Sequence, residues 1–356
     1  MNRAAAPRQA NAAHTLKASS WWLGLALCAA LASLAIGAAE LPAVRPYGLS
    51  ALTLAIVFGI AAGNTFFPHF AARTAAGVDF SKSKLLRIGI VLFGLRITFQ
   101  DIAAVGWAGI IIDAVVVVAT FVLAVQLGTR VLGLDRQTSM LIGAGSALCG
   151  AAAVMATEPV VRGQPYKVSV AVATVVVFGT LAMFAYPLLY PFLGLSEHAY
   201  GIFTGSTVHE VAQVVAAGRS VSEAAAATAV IEKMLRIMML APFLLVLSGL
   251  KEGPHGAGRD GNSAARAPIV IPWFAVLFIL ASLVNSLHLL PASAVAALTE
   301  VDTLLLATAM AALGLHTHVG AIRRAGVRPL LLAASLFVFL VLGGYVINRV
   351  VSHVFG

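Results

Sequence analysis

His209 and Glu210 lie in the stretch GIFTGSTVHEVAQVVAAG, within a chain that places few charges in its apolar segments. On a helix, Ser206, Glu210 and Gln213 are spaced i, i+4 and i+7, so they share one stripe, which His209 flanks. Ionisable groups inside an apolar span are costly unless they face a polar cavity or a partner, and we therefore interpret this stripe as functional. An imidazole beside a carboxylate is suited to proton exchange.

A partner for this stripe is available in the next apolar span, in the sequence EKMLR. Lys233 and Arg236 are three residues apart and share a helix face, and Glu232 is placed to pair with Arg236 at i+4. The alternative is a helix start at the interface, with long side chains snorkelling to water. Asp113, in GIIIDAVVVV, is a lone acid deep in another span, where it is either a structural hydrogen-bond partner or a proton site.

The residues do not point to metal or cofactor chemistry. His209-Glu210-Val211-Ala212-Gln213 resembles the zinc motif HExxH only in part, because a glutamine stands where the second histidine is needed. Cys28 and Cys149 both lie in apolar segments, which does not favour a disulfide or a cysteine metal site. We find no phosphate loop, dinucleotide fingerprint or nucleophile elbow. We therefore predict no metal, no cofactor and no catalytic residue.

Composition identifies the kind of protein that must position these groups. Of 356 residues, 60% are hydrophobic and only 10% are charged, with a mean hydropathy of +0.96. Soluble domains carry about a quarter charged residues, so this is an integral membrane protein in contact with the lipid bilayer. The net charge of +9 resides mostly in short loops between apolar runs. It is typical of topology signals and does not indicate a nucleic-acid partner.

A bilayer core of about 30 Å needs roughly 20 apolar residues per helix. The sequence predicts an all-α polytopic fold with about eleven transmembrane helices, at approximately 21–39, 47–66, 84–99, 102–126, 137–161, 168–192, 198–218, 226–250, 269–289, 298–318 and 329–352. We predict a polar cytoplasmic tail over 1–20, a single transporter domain over 21–352 and a flexible cytoplasmic linker over 251–268. The first span is interpreted as a retained helix and not as a signal peptide.

The loop charges predict the orientation of the chain. With the N-terminus inside, the inner segments hold fifteen Lys and Arg residues and the outer segments hold six, leaving Lys233 and Arg236 within the eighth span. Positive charge accumulates on the cytoplasmic side of membrane proteins. The N-terminus is therefore predicted to be cytoplasmic and the C-terminus periplasmic.

An internal repeat is also visible. Residues 94–112 align with 314–332 at a constant offset of 220, which matches Gly94 with Gly314 and Gly106 with Gly326. The third and tenth spans are an odd number of crossings apart, so the two copies would run in opposite directions. Inverted repeats are typical of secondary transporters. The alternative is a chance alignment between apolar helices of limited alphabet.

The fifth and seventh spans are rich in glycine and small polar residues. Gly143, Gly145 and Gly150 surround Ser146, and residues 204–207 read Thr-Gly-Ser-Thr. Each glycine weakens a helix by about 1 kcal/mol relative to alanine, which favours broken helices. The N-terminus of a half-helix is a ready anion-binding site. Tight helix packing through small residues explains the composition equally well.

Four blocks together resemble the YeiH family, also called UPF0324, of bacterial inner-membrane proteins: GIVLFGLRITFQDI, GAGSALCGAAAVMA, TGSTVHEVAQVVAAG and EKMLRIMMLAPFLL. The resemblance covers about residues 45–350. It implies a fold similar to the cation/proton antiporter and anion transporter group, in which two broken helices cross at the membrane centre. It also implies a transporter, with sulfate as its associated substrate, and carries over the motif positions Gly145, Ser146, Cys149, Gly150, His209, Glu210, Gln213, Lys233 and Arg236.

We therefore predict a secondary transporter of the bacterial inner membrane that exports a small anion such as sulfate, driven by an ion or proton gradient. Lys233 and Arg236 would attract the anion, the Ser146 and Ser206 regions would supply donors, and His209 or Glu210 would couple protonation. The alternative on the same architecture is a cation/proton antiporter that uses Glu210 and Asp113. An intramembrane enzyme or a regulatory membrane protein is the alternative from another class, and the oligomeric state is left open.

Overall fold

The computed structural model of the chain describes residues 6–41, 44, 50–251, 273–317 and 326–355. The described residues form helices joined by short turns, and no strand occurs among them. Five helical segments are long and apolar enough to cross a membrane: Trp21–Ala39, Phe99–Val131, Tyr166–Leu193, Ala292–Leu315 and Val327–Phe355. The prediction of an all-α polytopic membrane protein is confirmed.

The described residues divide into two compact units. Unit 1 comprises the chain up to Arg96 together with the segment from Leu287 to 317, and its helices are α1 Ala6–Ala39, α2 Ala51–Asn64, α3 Phe67–Phe80, α4 Leu86–Phe93 and α14 Ala292–Leu315. Unit 2 contains α5 Phe99–Gln126, α6 Arg136–Ala147, α7 Ala151–Val161, α8 Pro165–Leu193, α9 Glu197–Thr207, α10 Val211–Arg219, α11 Glu223–Met238, α12 Leu240–Lys251, α13 Trp273–Ser286 and α15 Val327–Phe355. The prediction of one transporter domain over 21–352 stays a prediction.

Unit 1 is held together by close helix packing through glycines. A Cβ atom built on Gly59 would lie 2.9 Å from the Cα of Gly314, and one on Gly24 would lie 2.9 Å from the Cα of Gly77. Only glycine lets these backbones approach so closely, as at other small-residue contacts between membrane helices. Arg96 adds a polar tie, since its Nε donates to Oδ2 of the buried Asp302 at 2.9 Å.

The third predicted span, 84–99, begins well after the first residue of the helix that the structure shows there. The helix starts at Phe67 and continues through α3, a π-helical turn over Ser81–Leu85 and α4 to a final 3₁₀ turn that ends at Arg96. Lys84 and Arg87 interrupt the apolar pattern, and both lie exposed on this helix. Long basic side chains can extend from a membrane helix toward the interface, so they do not mark its beginning.

The fifth predicted span is a hairpin and not a single crossing. Helices α6 and α7 are joined by residues 148–150, and Nε2 of Gln137 at the start of α6 donates to the carbonyl oxygens of Val161 and Arg162, at 3.3 and 3.2 Å, at the end of α7. The two ends of the segment therefore meet on one side. We call residues 136–161 hairpin 1, with its base at the helix ends and its tip at 148–150.

The seventh predicted span folds back in the same way. The hydroxyl of Tyr200, in the first turn of α9, donates to the carbonyl oxygen of Ala217 near the end of α10 at 3.3 Å. The hydroxyl of Ser222, which follows α10, donates to the Glu197 carboxylate at 2.7 Å. We call residues 197–219 hairpin 2, with its tip at 208–210.

The two hairpins enter unit 2 from opposite ends of α8. Lys167, at the start of α8, donates to Asp135 at the base of hairpin 1 at 2.8 Å, whereas the last residue of α8 leads directly into hairpin 2. At 1.5 Å per residue, the first helix of each hairpin reaches about 16–18 Å. That length is roughly half the hydrocarbon core of a bilayer, so a hairpin whose base lies at the membrane surface would place its tip near the centre.

Two observations in unit 2 agree with the predicted inverted repeat. Gly106 and Gly326, which are matched at the offset of 220, both have positive φ, 60° and 83°. Helices α5 and α15 run antiparallel: Leu332 of early α15 lies beside Gly128 just after α5, while Val351 of late α15 clusters with Ile112. The same offset also matches Thr98 with His318 and Ile102 with Ile322, but His318 and Ile322 lie outside the described residues.

The predicted tail and linker are only partly described. Helix α1 begins at Ala6, so the polar tail is helical from that residue. Helix α12 ends at Lys251, and the remainder of the predicted linker lies outside the described residues. The eighth predicted span consists of α11 and α12, which meet at Met239.

Candidate functional site

The two hairpin tips are tied together by the two basic residues of α11. Nζ of Lys233 donates to the carbonyl oxygen of Leu148 in one tip, at 2.8 Å, and of Val208 in the other, at 2.6 Å. Nε of Arg236 donates to Ala147 at 2.8 Å, and its Nη1 and Nη2 donate to the carbonyl oxygens of Ser206 and Ser146, at 2.5 and 3.0 Å. Both side chains are fully buried. The predicted meeting of this pair with the His209-Glu210 stretch is confirmed.

These bonds have a clear physical cause. The last carbonyl groups of a helix lack partners within it, and they form the negative end of the helix dipole. Helices α6 and α9 both end at the tips, so their carbonyls would be unsatisfied where no water of the bulk phase reaches. A buried ammonium and a buried guanidinium satisfy both helix ends and neutralise part of their charge.

The breaks themselves follow from the local sequence. In hairpin 1, Gly150 takes φ 68° and ψ −133°, a conformation that residues with a Cβ atom rarely adopt. In hairpin 2, Val208 and Glu210 are extended, with ψ 146° and 149°, and helix α10 starts at the next residue. The prediction that both glycine-rich spans are broken is confirmed, and tight packing accompanies the breaks.

Glu210 links the second tip to the first. A Cβ atom built on Gly150 would lie 2.6 Å from Cγ of Glu210 and 3.2 Å from its Oε1. The carboxylate therefore lies beside the N-terminus of α7, which is the positive end of that helix. The backbone N–H of Glu210 donates to Oε1 of Gln213 at 3.1 Å, and the Gln213 amide packs against Gly179 of α8.

The remaining predicted residues surround the same point. His209 is 1% exposed, its Nδ1 accepts or donates no hydrogen bond among the described residues, and it interacts electrostatically with Lys233 and Arg236. The hydroxyl oxygen of Ser146 is likewise buried without a described partner. Ser206 accepts a hydrogen bond from Nδ2 of Asn348 at 3.1 Å.

Gly145 and Cys149 complete the first tip. Gly145 faces Val154 of α7 and Val175 of α8, so a larger residue would collide with both helices. Cys149 is buried in the turn between α6 and α7. All ten residues predicted for the substrate or ion site therefore lie in the two hairpins or on the stretch of α11 that joins their tips.

Two carboxyl groups lie next to this cluster. Asp113 and Glu232 are both fully buried, and none of their carboxylate oxygens accepts a hydrogen bond among the described residues. They interact electrostatically with each other and with Arg236. Glu232 lies against α5, because a Cβ atom on Gly109 would come within 2.4 Å of its Oε2.

The predicted role of Glu232 as the partner of Arg236 is wrong in its geometry. Arg236 directs its hydrogen bonds to backbone carbonyls of the two hairpins, and Glu232 turns to α5 instead. Sequence reasoning thus placed Glu232 in the cluster with the wrong partner, and it missed Asn348. A signal for Glu232 was present in Gly109, which stands one turn before Asp113 and leaves space on the same face.

The chain is similar to known proteins over most of its length. The model for "Conserved hypothetical protein 698" matches residues 23–333. The UPF0324 inner membrane protein YeiH of Escherichia coli K12 is 54% identical over 333 residues, covering 93% of this chain and 94% of the relative. The chain belongs to the UPF0324 family.

Other members of the UPF0324 family are similar to this chain to the same degree. The UPF0324 membrane protein PA5383 of Pseudomonas aeruginosa is 57% identical over 332 residues, covering 92% of this chain and 93% of the relative. The UPF0324 membrane protein YPO1307/y2878 of Yersinia pestis is 54% identical over 337 residues, with 93% of each chain covered. The UPF0324 names describe membrane proteins and state no substrate. No solved structure matches the chain.

Proposed function

We propose that the protein is a secondary active transporter that moves a small anion, such as sulfate, across the membrane. The observation that carries the proposal is the meeting of two hairpin tips, which enter unit 2 from opposite ends of α8, at the buried Lys233. Interrupted helices at membrane depth are tolerated where they are buried in protein or line a cavity, and in transporters they form the substrate site.

The anion would bind between the tips. Lys233 donates two of its three N–H groups to carbonyl oxygens, and Arg236 donates three of its five. Both cations therefore have further N–H donors for a substrate. The Ser146 hydroxyl and the N-termini of α7 and α10 add further donors. Glu210 lies beside the α7 N-terminus, where its carboxylate would compete with the substrate anion.

That competition gives a route to coupling. Protonation of Glu210 removes its charge from the α7 N-terminus and makes that position available to the anion. His209 shares the tip, and its Nδ1 is placed to take part in the same proton exchange. Asp113 with Glu232 forms a second proton site beside Arg236. The cycle contains no covalent step, so the proposal is for a transporter and not an enzyme.

We place the protein in the bacterial inner membrane, with the N-terminus in the cytoplasm and the C-terminus in the periplasm. Hairpin 1 returns to the side on which it begins, which puts Arg162 and Lys167 on the side of Arg136. When those two residues are counted on the inner side, the Lys and Arg residues of the inner and outer segments number seventeen and four, in place of the predicted fifteen and six. The larger asymmetry supports the orientation.

Counterflow of labelled sulfate into proteoliposomes tests the proposal. We expect saturable exchange, and we expect Ser146→Ala to raise the KM for sulfate several-fold with unchanged thermal stability, because this hydroxyl has no described partner in the fold. Ser335→Ala is the matched control, since that exposed hydroxyl donates only to Leu331 of its own helix at 2.9 Å among the described residues. Failure of sulfate and of other small oxyanions to exchange would overturn anion transport.

A cation/proton antiporter is the second candidate, favoured by the buried and unbonded carboxylate of Asp113. It would use Asp113 and Glu210 to bind a cation in exchange for protons. Everted vesicles with a pH-sensitive dye distinguish the two functions. Antiport predicts that adding Na⁺ or K⁺ dissipates the proton gradient and that Asp113→Asn abolishes the response. Anion transport predicts a response to sulfate and none to these cations.

A further inference from the structure

Two adjoining grooves run along the second half of α5, away from the hairpin tips. The first, of about 570 Å³, lies between α5, α6 and α12 and is lined by the apolar side chains of Phe121, Val125, Met140 and Leu247. The second, of about 820 Å³, shares Val122 and Gln126 with the first and continues past Val118 to Phe339 of α15. The two grooves therefore meet at Val122 and Gln126 on one face of α5.

One end of the first groove is basic. Arg130, on the turn that follows α5, and Arg136, the first residue of α6, both line it and are both exposed. The nearest acid in sequence does not offset them, because Asp135 is engaged by Lys167 at 2.8 Å and by the Thr138 hydroxyl at 2.7 Å. Two guanidinium groups therefore lie together at the end of the groove that follows the last residue of α5.

The remainder of the surface matches acyl chains. Helix α5 from Gln126 to Ala114 extends about 18 Å at 1.5 Å per residue, and these residues bound the second groove. That distance is close to the thickness of one leaflet, about half of a 30 Å core. A ligand with one anionic head and two apolar chains therefore fits the charge, the length and the two grooves together.

We propose that these grooves form a binding site for an anionic phospholipid, with the phosphate held by Arg130 and Arg136 and the two acyl chains lying in the two grooves. Guanidinium groups bind phosphate through paired, charge-assisted hydrogen bonds. Basic pockets between membrane helices recognise anionic headgroups in this manner. A lipid held there packs against α6 and stabilises the base of hairpin 1.

Native mass spectrometry of the purified full chain tests the site. Phosphatidylglycerol and phosphatidylcholine with identical acyl chains are titrated separately against the wild type, Arg130→Gln/Arg136→Gln and Arg349→Gln. The control changes an exposed arginine on α15 that does not line either groove. At roughly fivefold per arginine, the wild type should prefer phosphatidylglycerol about twenty-five-fold, the double variant should lose that preference, and the control should keep it.

A second variant separates binding from folding. Val122→Trp fills the position shared by both grooves without changing charge, and it should reduce retention of both lipids. Inorganic phosphate should not displace phosphatidylglycerol, because it lacks the acyl contacts. Equal retention of the two lipids by the wild type, an unchanged preference in the double variant, or displacement by phosphate alone would each overturn the proposal.

Discussion

Hairpin 1 turns through Leu148, Cys149 and Gly150, whereas hairpin 2 turns through Val208, His209 and Glu210. Both first helices end with carbonyl groups bound to the same two cations of α11. The frames are alike, but the first tip carries a thiol where the second carries an imidazole and a carboxyl group. In the proposed transporter, hairpin 1 would therefore supply backbone donors and hairpin 2 would supply the proton-exchanging side chains.

The largest effect should come from Arg236, which serves both hairpins. Arg236→Met removes three charge-assisted hydrogen bonds and leaves buried carbonyl and carboxyl groups without their cation. We expect a loss of about 3–5 kcal/mol in the free energy of unfolding, measured by denaturant unfolding in detergent. Arg236→Lys should recover only part of it, because an ammonium cannot reproduce the fork of donors. If Arg236→Met loses no more free energy of unfolding than Arg349→Gln, the hydrogen bonds from Arg236 do not stabilise the two hairpin tips.

The next effect distinguishes the two turns. Gly150→Ala places a Cβ atom at φ 68° and 2.6 Å from Cγ of Glu210, so hairpin 1 must strain or hairpin 2 must move. We expect a loss of about 1–3 kcal/mol in thermal-unfolding experiments. Gly249→Ala on α12 is the control, since a Cβ atom there meets nothing within 4 Å and should stabilise the helix by up to about 1 kcal/mol. If the double variant Gly150→Ala/Glu210→Ala recovers the stability lost in Gly150→Ala, the loss comes from the collision between the new Cβ atom and the Glu210 side chain.

A smaller change in stability should accompany a large change in transport at the second tip. Glu210→Gln removes a charge from the α7 N-terminus, which costs about 0.3–1 kcal/mol, and it should abolish the pH dependence of sulfate counterflow. Cys149→Ala, the matched change in hairpin 1, should leave that pH dependence intact. Equal responses from both variants would contradict the division of roles between the tips.

Much of this comparison was visible in the sequence. Glycine density and small hydroxyls at 143–150 and 204–207 predicted both breaks, and the spacing of Lys233 and Arg236 predicted that they act together. These signals are local, because helix weakening and face sharing depend on neighbours within one or two turns. Gly106 and Gly326 gave a further signal. The sequence matched them at the offset of 220, and both have positive φ in the structure.

The direction of the hairpins was not visible. An apolar segment of about 25 residues has one composition whether it crosses the bilayer or returns, and the return depends on contacts such as Gln137 with Val161. One indirect signal existed, since Arg162 and Lys167 stood on the outer side against the charge rule. The acceptors of Arg236 are backbone carbonyls, which side-chain patterns do not encode, and Glu232 was therefore assigned to the wrong partner.

The smallest effect concerns the base of hairpin 1, where Asp135 lies in the loop before α6. Partial burial opposes its ionisation, but hydrogen bonds from Lys167 and Thr138 outweigh this and hold the pKa of Asp135 below its usual value. The folded state therefore binds this proton more weakly than the unfolded chain. The resulting stability is complete above the unfolded pKa of about 4 and is lost as pH falls through the lower folded pKa.

Asp135→Asn isolates that contribution, since asparagine keeps the N-cap of α6 while removing the charge. Because the Asp135 side chain is about half exposed, we expect a loss of at most about 1 kcal/mol at neutral pH, which shrinks toward zero in strong acid. A double-mutant cycle with Lys167→Met measures the pair itself, and raised salt should weaken it. No loss in Asp135→Asn at neutral pH, or a coupling energy that raised salt leaves unchanged, would mean that the ion pair does not secure the base of hairpin 1.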